Sequence, residues 1–275
     1  MELALGSHRF DITTRAVVMG ILNRTPDSFY DQGEYWAFDA FAAKADQLVR
    51  DGADFLDVGG VKAGPGEEVG EAEELGRVVP AIEALHARFD LPLSIDTWRA
   101  SVAAACFEAG AVVGNDISGF ADPDYLSVCA AAGASVVATH IRLRPRVPDP
   151  EPHYEDLVTN VVDFLGVRAR MAEQAGIPRE RIMIDAGLDL GKTEPQSLEL
   201  LRASNRLAAL GYPVFLSASN KRFLWRLLDV ERTEAGAGTT AAHALGIALG
   251  CRVLRAHDVR AARRTADVMS AVLAA

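Results

Sequence analysis

The sequence predicts a single (β/α)8 TIM barrel, in the α/β class, as one domain over residues 1–275. Three observations lead there. Eight short β-branched runs alternate with helical, alanine-rich segments. The run starts, from residue 17 to residue 252, are spaced by about 34 residues, close to the ~31 per unit of a 250-residue barrel. No shift of composition marks a boundary, and 275 residues with 49% hydrophobic content can fill one large core.

The first run, 17–23 (VVMGILN), is followed by the helical segment AFDAFAAKADQLVRDGA, and the second, 55–60 (FLDVGG), by EAEELGRVVPAIEALHARF. The third, 92–97 (PLSIDT), leads into WRASVAAACFEAGA, and the fourth is 112–118 (VVGNDIS). The fifth, 135–141 (SVVATHI), runs into a proline-rich, charge-dense stretch at 142–156, which reads as a long loop on the active-site side before LVTNVVDFLGVRARMAEQAGI. The last three are 182–188 (IMIDAGL), 214–220 (VFLSASN) and 252–259 (RVLRAHDV), with VRAARRTADVMSAVLAA closing the chain. Glycines in the 51–54, 109–111, 132–134, 211–213 and 249–251 stretches fit helix ends.

A formal charge of −10 argues against a sequence-independent grip on nucleic acid or anionic lipid and for small-molecule partners. The N-terminus lacks an apolar core of signal-peptide length, and no run approaches 18 apolar residues, so the expectation is a cytoplasmic protein off the membrane. Cys106, Cys129 and Cys251 are too few and too scattered for a disulfide framework and read as buried small hydrophobes.

Three familiar motifs fall away. Residues 186–193 (AGLDLGKT) imitate a P-loop, but alanine stands at its first glycine and Glu194-Pro195 suggests a turn with a later helix. No G-x-S-x-G occurs, and the six histidines show no i, i+4 pair that would suit zinc. His86 and His243 read as surface or interface residues. Arg142, Arg144 and Arg146 alternate along the fifth loop; they are either a solvated face balanced by Asp149, Glu151, Glu155 and Asp156, or an anion-gripping lid.

In a barrel the strand C-termini share one mouth. Here they are polar: Asn23, Lys62, Asp96, Asn115 with Asp116, Thr139 with His140, Asp185, Ser219 with Asn220 and Lys221, then Arg255, His257 and Asp258. Any one of these could cap the next helix, but eight strand ends in register point to a site.

These ends resemble the dihydropteroate synthase family, the pterin-binding barrels of folate synthesis. The matching pieces are MGILNRTPDSF (19–29), GADFLDVGG (52–60), SIDT (94–97), GNDISG (114–119), ID-x-G-x-x-x-GKT (184–193), SNK (219–221) and RAHDV (255–259). The resemblance implies that 6-hydroxymethyl-7,8-dihydropterin diphosphate is condensed with p-aminobenzoate, the CH₂–diphosphate bond breaking first. Asp185 would then take the donor edge of the pterin, Lys221 its acceptors, and Asp96 with Asn115 the rim. Asn23, Arg255 and His257 would hold the diphosphate, with Mg²⁺ on the Asn23 oxygen. Asp27 would close over the reacting methylene, and it joins Lys221 and Asp96 as the expected catalytic residues. A homodimer through the C-terminal helices is also implied.

The chain departs from the family pattern where the second substrate should bind. The family's Thr-Arg pair after the second strand is Ala63-Gly64, with Lys62 just before it, and Ser219 completes that expected loop site. Thr139-His140-Ile141 lacks the family's methionine, Leu190 replaces a ring-facing phenylalanine, Asp189 a glycine, and Ser217 stands where glycine is common. The polar set survives while the second-substrate loop has drifted, as in divergent second copies of the family. Reduced activity is therefore expected, the alternative being an impaired paralogue that binds a pterin or phospholigand in a regulatory role.

Overall fold

The computed structural model describes residues 1–24, 34–64 and 66–275, and for residues 34–37 the backbone only. An N-terminal hairpin, β1 (Glu2–Leu5) and β2 (His8–Asp11), precedes the repeat β3 (Val17–Asn23), α1 (Glu34–Arg50), β4 (Phe55–Gly59), α2 (Glu71–Arg88). There follow β5 (Leu93–Asp96), α3 (Ala100–Glu108), β6 (Val113–Asp116), α4 (Tyr125–Ala131), β7 (Ser135–Thr139) and α5 (Leu157–Gln174). The chain continues with β8 (Ile182–Asp185), α6 (Glu194–Arg202), α7 (Ser204–Ala208), β9 (Val214–Leu216), α8 (Arg222–Leu227), α9 (Gly236–Ala248), β10 (Cys251–Ala256) and α10 (Val259–Ala274). Strands β3 to β10 are parallel and close in chain order, β10 pairing back onto β3, so the expected barrel is present.

Alternation along each strand divides the core in two. Val18 and Leu22 of β3, Leu56 and Val58 of β4 and their counterparts face outward under the helices. Val17, Met19, Phe55, Val113, Val137 and Met183 fill the barrel interior. The hairpin went unseen in the sequence, because its runs are four residues long and β2 alternates half-buried and exposed positions. It plugs the barrel floor: Leu3, Leu5 and Ile12 join the interior cluster, and Ser135 Oγ donates to Ala4 O at 2.6 Å. The interior at the floor is thus apolar, and the buried charged side chains Asp57, Asp96, Asp185 and Arg255 lie towards the opposite end.

Most sequence runs overshoot their strands at the C-terminal end; 214–220 contains only Val214–Leu216 as strand, because the polar ends leave the sheet to form the mouth. Two expectations need correction. Helix α6 starts at Glu194, directly after Thr193, whose hydroxyl accepts from Gln196 N in a capping box; proline is tolerated in a first turn that needs no N–H there. His243 is buried in α9 at 1% exposure, not at the surface, and burial lowers its pKa to about 4. The three cysteines are buried as expected. No helix among the described residues is long and apolar enough to cross a membrane.

Candidate active site

The inward positions that follow the apolar layers carry charge. Asp57, in the middle of β4, is fully buried; its Oδ1 accepts from Ser94 Oγ at 2.6 Å and its Oδ2 from Asn115 Nδ2 at 3.2 Å. Arg255 of β10 reaches across, donating from Nε to Asp57 Oδ2 and from Nη2 to Asp96 Oδ2, both at 2.8 Å. Burial pushes the Asp96 carboxyl up to about 7, with Arg255 opposing and Asp57 adding to the rise. Burial works against the Arg255 charge, but the two carboxylates outweigh it and hold its pKa raised.

Asp185 ends β8 with one oxygen, Oδ1, accepting from Gly187 N at 2.9 Å. Gly187 has φ +65, and a Cβ there would lie 2.0 Å from His140 O, so only glycine allows this turn. Lys221 sits where α8 begins, and its Nζ donates to Leu188 O at 3.0 Å. Burial lowers the Lys221 pKa while Asp185 counteracts; burial raises that of Asp185 while Gly187 N and Lys221 counteract. The two groups stabilise each other's charge.

A fully buried lysine braces the same loop. Lys192, 1% exposed, donates to Leu190 O at 2.9 Å and approaches His140 Nδ1 at 3.0 Å. His140 packs edge-on against Phe164, ring centroids 4.8 Å apart. Burial, then the neighbouring ammonium, lowers His140 to about 3, so neutral Nδ1 accepts. Lys192 therefore pins the β8–α6 loop to the end of β7 and does not cradle phosphate, which completes the case against a P-loop.

Asp96, Asn115, Asp185, Lys221 and Arg255 border one cavity, with Ala63 on its outer side. His257 lies beside them, its Nδ1 3.0 Å from Ser219 Oγ. Burial and then Arg255 lower His257 to about 4, so the expected diphosphate cation is a neutral ring in this state. Asn23 is exposed at the end of β3. Lys62 and Gly64 are exposed on the loop after β4. Asp27 lies outside the described residues. The cavity is narrow, 40 Å³, far below the roughly 300 Å³ of an ordinary ligand pocket, and Ala63 and Leu190 are among the residues that wall it.

Sequence reasoning missed Asp57, Ser94 and Lys192 as site supports. Asp57 was recoverable: it lies two residues from inward Phe55 and two from Gly59, so the period of two places it inside the barrel.

A family profile described as "Pterin binding enzyme" matches residues 19–257. The chain belongs to the dihydropteroate synthase family. It is 40% identical to the dihydropteroate synthase of Bacillus subtilis over 94% of this chain and 89% of that one. It is equally similar, at 41% over 94% of this chain and 91% of the other, to "Inactive dihydropteroate synthase 2" of Mycobacterium leprae. A solved dihydropteroate synthase from Xanthomonas albilineans with 4-aminobenzoic acid superposes with a TM-score of 0.91 at 39% identity, covering 100% of this chain and 98% of that one. Family membership thus spans catalysts and a protein named inactive, and the loop after β4 becomes the point of interest.

Proposed function

We propose that this chain is a dihydropteroate synthase-type transferase of folate biosynthesis that binds 6-hydroxymethyl-7,8-dihydropterin diphosphate in the barrel mouth and joins it slowly to p-aminobenzoate. The observation carrying this reading is the placement of Asp185 and Lys221 on one cavity. Asp185 Oδ2 accepts no hydrogen bond from the described residues, since Gly187 N occupies only Oδ1. A carboxylate oxygen there matches the N–H edge of a pterin, and the N–H groups of Lys221 not used by Leu188 O match ring acceptors.

In the reaction the CH₂–O bond breaks and its electron pair leaves with the diphosphate; the amine lone pair then bonds to the methylene carbon and the nitrogen loses a proton. The chain supplies donors, not a nucleophile. Arg255 keeps N–H groups beyond those given to Asp57 and Asp96, and the Ser219 hydroxyl, donating to His257 Nδ1, leaves Nε2–H as a donor. Among the described residues no three acidic, histidine or cysteine side chains cluster as a metal cage. The Asn23 oxygen suits Mg²⁺, which keeps most of its waters and substrate oxygens; Asn23 would hold it, and the ion would add positive charge at the diphosphate.

A homodimer is part of the proposal: Leu227, Leu228, Leu245, Val268 and Val272 on α8, α9 and α10 or just beyond are exposed by 43–62%, an apolar excess that a second copy would cover. A non-catalytic pterin-binding role is favoured by one feature, Ala63-Gly64 in place of a hydroxyl and guanidinium. The cytoplasm remains the proposed location.

The test is calorimetry with 6-hydroxymethylpterin. Asp185→Ala removes the partner of a buried charged hydrogen bond, worth about 2–5 kcal/mol, so binding should vanish from the measurable range. Equal binding by wild type and variant would show that the pterin does not use this pocket.

A further inference from the structure

Glu74, in the first turn of α2, is fully buried, and a carboxylate cut off from water needs donors on both oxygens. Two residues that follow β5 supply them. Thr97 Oγ1 donates to Oε1 at 2.7 Å, and the Arg99 guanidinium pairs with Oε2 through Nη1. The Arg99 backbone N–H meets Thr97 Oγ1 at 3.3 Å. That N–H can only donate, so the one hydroxyl proton of Thr97 goes to Glu74 and its direction is fixed.

Each arm ends at a different part of the mouth. Thr97 directly follows Asp96, and its own N–H donates to Asn115 O at 3.1 Å, so its placement bears on the backbone that carries both residues. Arg99 extends from Glu74 to the loop after β4, Nη2 donating to Val69 O at 2.8 Å, close to where that loop enters α2. At the loop's other end, Arg77 donates to Gly60 O at 2.7 Å. Residues 74 and 77 share one face of α2. That face can lie against the loop because Gly60 has no side chain: a Cβ there would stand 2.7 Å from Val78 Cγ1 and 3.4 Å from Glu74 Cγ.

The middle of the loop is held from elsewhere. Arg146, on the loop after β7, donates to Lys62 O at 3.1 Å and to Glu67 O, while Arg142 pairs with Asp149, so the alternating arginines make separate contacts. Glu74 differs in serving two parts of the mouth at once, being bonded both to the residue after Asp96 and to the arginine that holds Val69. Burial first, and then Asp57 and Glu74, raise the Asp96 pKa against Arg255, so Glu74 is also near enough to act on that carboxyl directly.

We propose that Glu74 is a positioning residue shared by two sides of the mouth: through Thr97 it sets the Asp96 carboxyl against Arg255, and through Arg99 it fixes the β4 loop at Val69. Glu74 meets no substrate and acts only through these neighbours. The proposal rests on the pterin-barrel reading only in giving Asp96 a ligand to meet.

The ligand-free full chain is followed by the carbon-13 shift of the Asp96 carboxyl against pH and by the rate at which a glutamate-specific protease cuts Glu68–Val69. In Thr97→Val the Asp96 carboxyl loosens from Arg255, whose charge lowers its pKa, so the midpoint should rise by about half a pH unit or more. Thr97→Ser, which keeps the hydroxyl, should restore it. In Arg99→Lys a single ammonium cannot serve both Glu74 and Val69 O. Cleavage should therefore quicken about tenfold, the worth of a hydrogen bond from a charged group, and likewise in Glu74→Gln. Each variant is first shown folded by circular dichroism, and Arg99→Lys keeps a cation beside Glu74, so it decides the loop arm even where another variant does not fold. A midpoint unmoved in Thr97→Val, or a cleavage rate unmoved in Arg99→Lys, would overturn the proposal and leave Glu74 as a buried ion pair alone. Calorimetry of the wild-type chain with 6-hydroxymethylpterin reports on the pterin reading separately, so its failure leaves the midpoints and cleavage rates to decide the role of Glu74.

Discussion

Arg255 fastens Asp57 to Asp96, giving one N–H to each carboxylate at 2.8 Å and so linking the β4 and β5 inner positions to β10. Asp57 has no exposure at all and the Arg255 side chain 17%, so the Asp57 charge cannot turn to water if Arg255 is removed.

Arg255→Gln therefore leaves two carboxylates facing each other in a buried layer. Breaking such a pair costs about 3–5 kcal/mol, and urea unfolding should show a loss of that size. A loss below about 1 kcal/mol, the level of an exposed ion pair, contradicts the arrangement.

Asp96 gives a pH signature. Its folded pKa of about 7 lies above the ordinary carboxylate value, so between pH 4 and 7 the folded state holds a proton that the unfolded state has lost. Stability then falls as pH rises through that window. Carbon-13 carboxyl shifts should titrate near 7, and the decline should shrink in Asp96→Asn. A midpoint near 4 argues against the burial assigned to this group.

Lys192 has the opposite slope. Burial holds its pKa at about 7, so between pH 7 and the ordinary lysine range the unfolded state binds the extra proton and stability rises with pH. Lys192→Met should flatten that rise in thermal unfolding followed from pH 7 to 10. An identical pH dependence in both proteins would remove Lys192 from this role.

The barrel was legible in the sequence because strand and helix periods alternate at nearly constant spacing, and most mouth residues were legible because they terminate β-branched runs. Asn115, Asp185, Lys221 and Arg255 required no more than that. The Arg146 contacts were not, since they join residues 84 and 79 positions apart through two irregular loops, where no period constrains direction. His243 misled because a lone polar residue in an alanine-rich helix carries no sign of which face is covered.

The β4 loop is where a substitution should restore function. Replacing residues 61–64 by Glu-Ser-Thr-Arg returns a hydroxyl and a planar guanidinium, which orients a carboxylate better than a lysine point charge. The rate of dihydropteroate formation should rise about tenfold or more if misorientation, which can cost ~100-fold, is the main defect. No gain places the defect outside this loop.

The most direct measurement is dihydropteroate formation by the purified chain from 6-hydroxymethyl-7,8-dihydropterin diphosphate and p-aminobenzoate with Mg²⁺, beside calorimetric pterin binding on the same sample. The account predicts that pterin binds and that product forms far more slowly than the ~1 s⁻¹ lower end of ordinary enzyme turnover. Turnover at about 1 s⁻¹ or faster would contradict the impairment assigned to Ala63-Gly64, and absence of pterin binding would contradict the site itself.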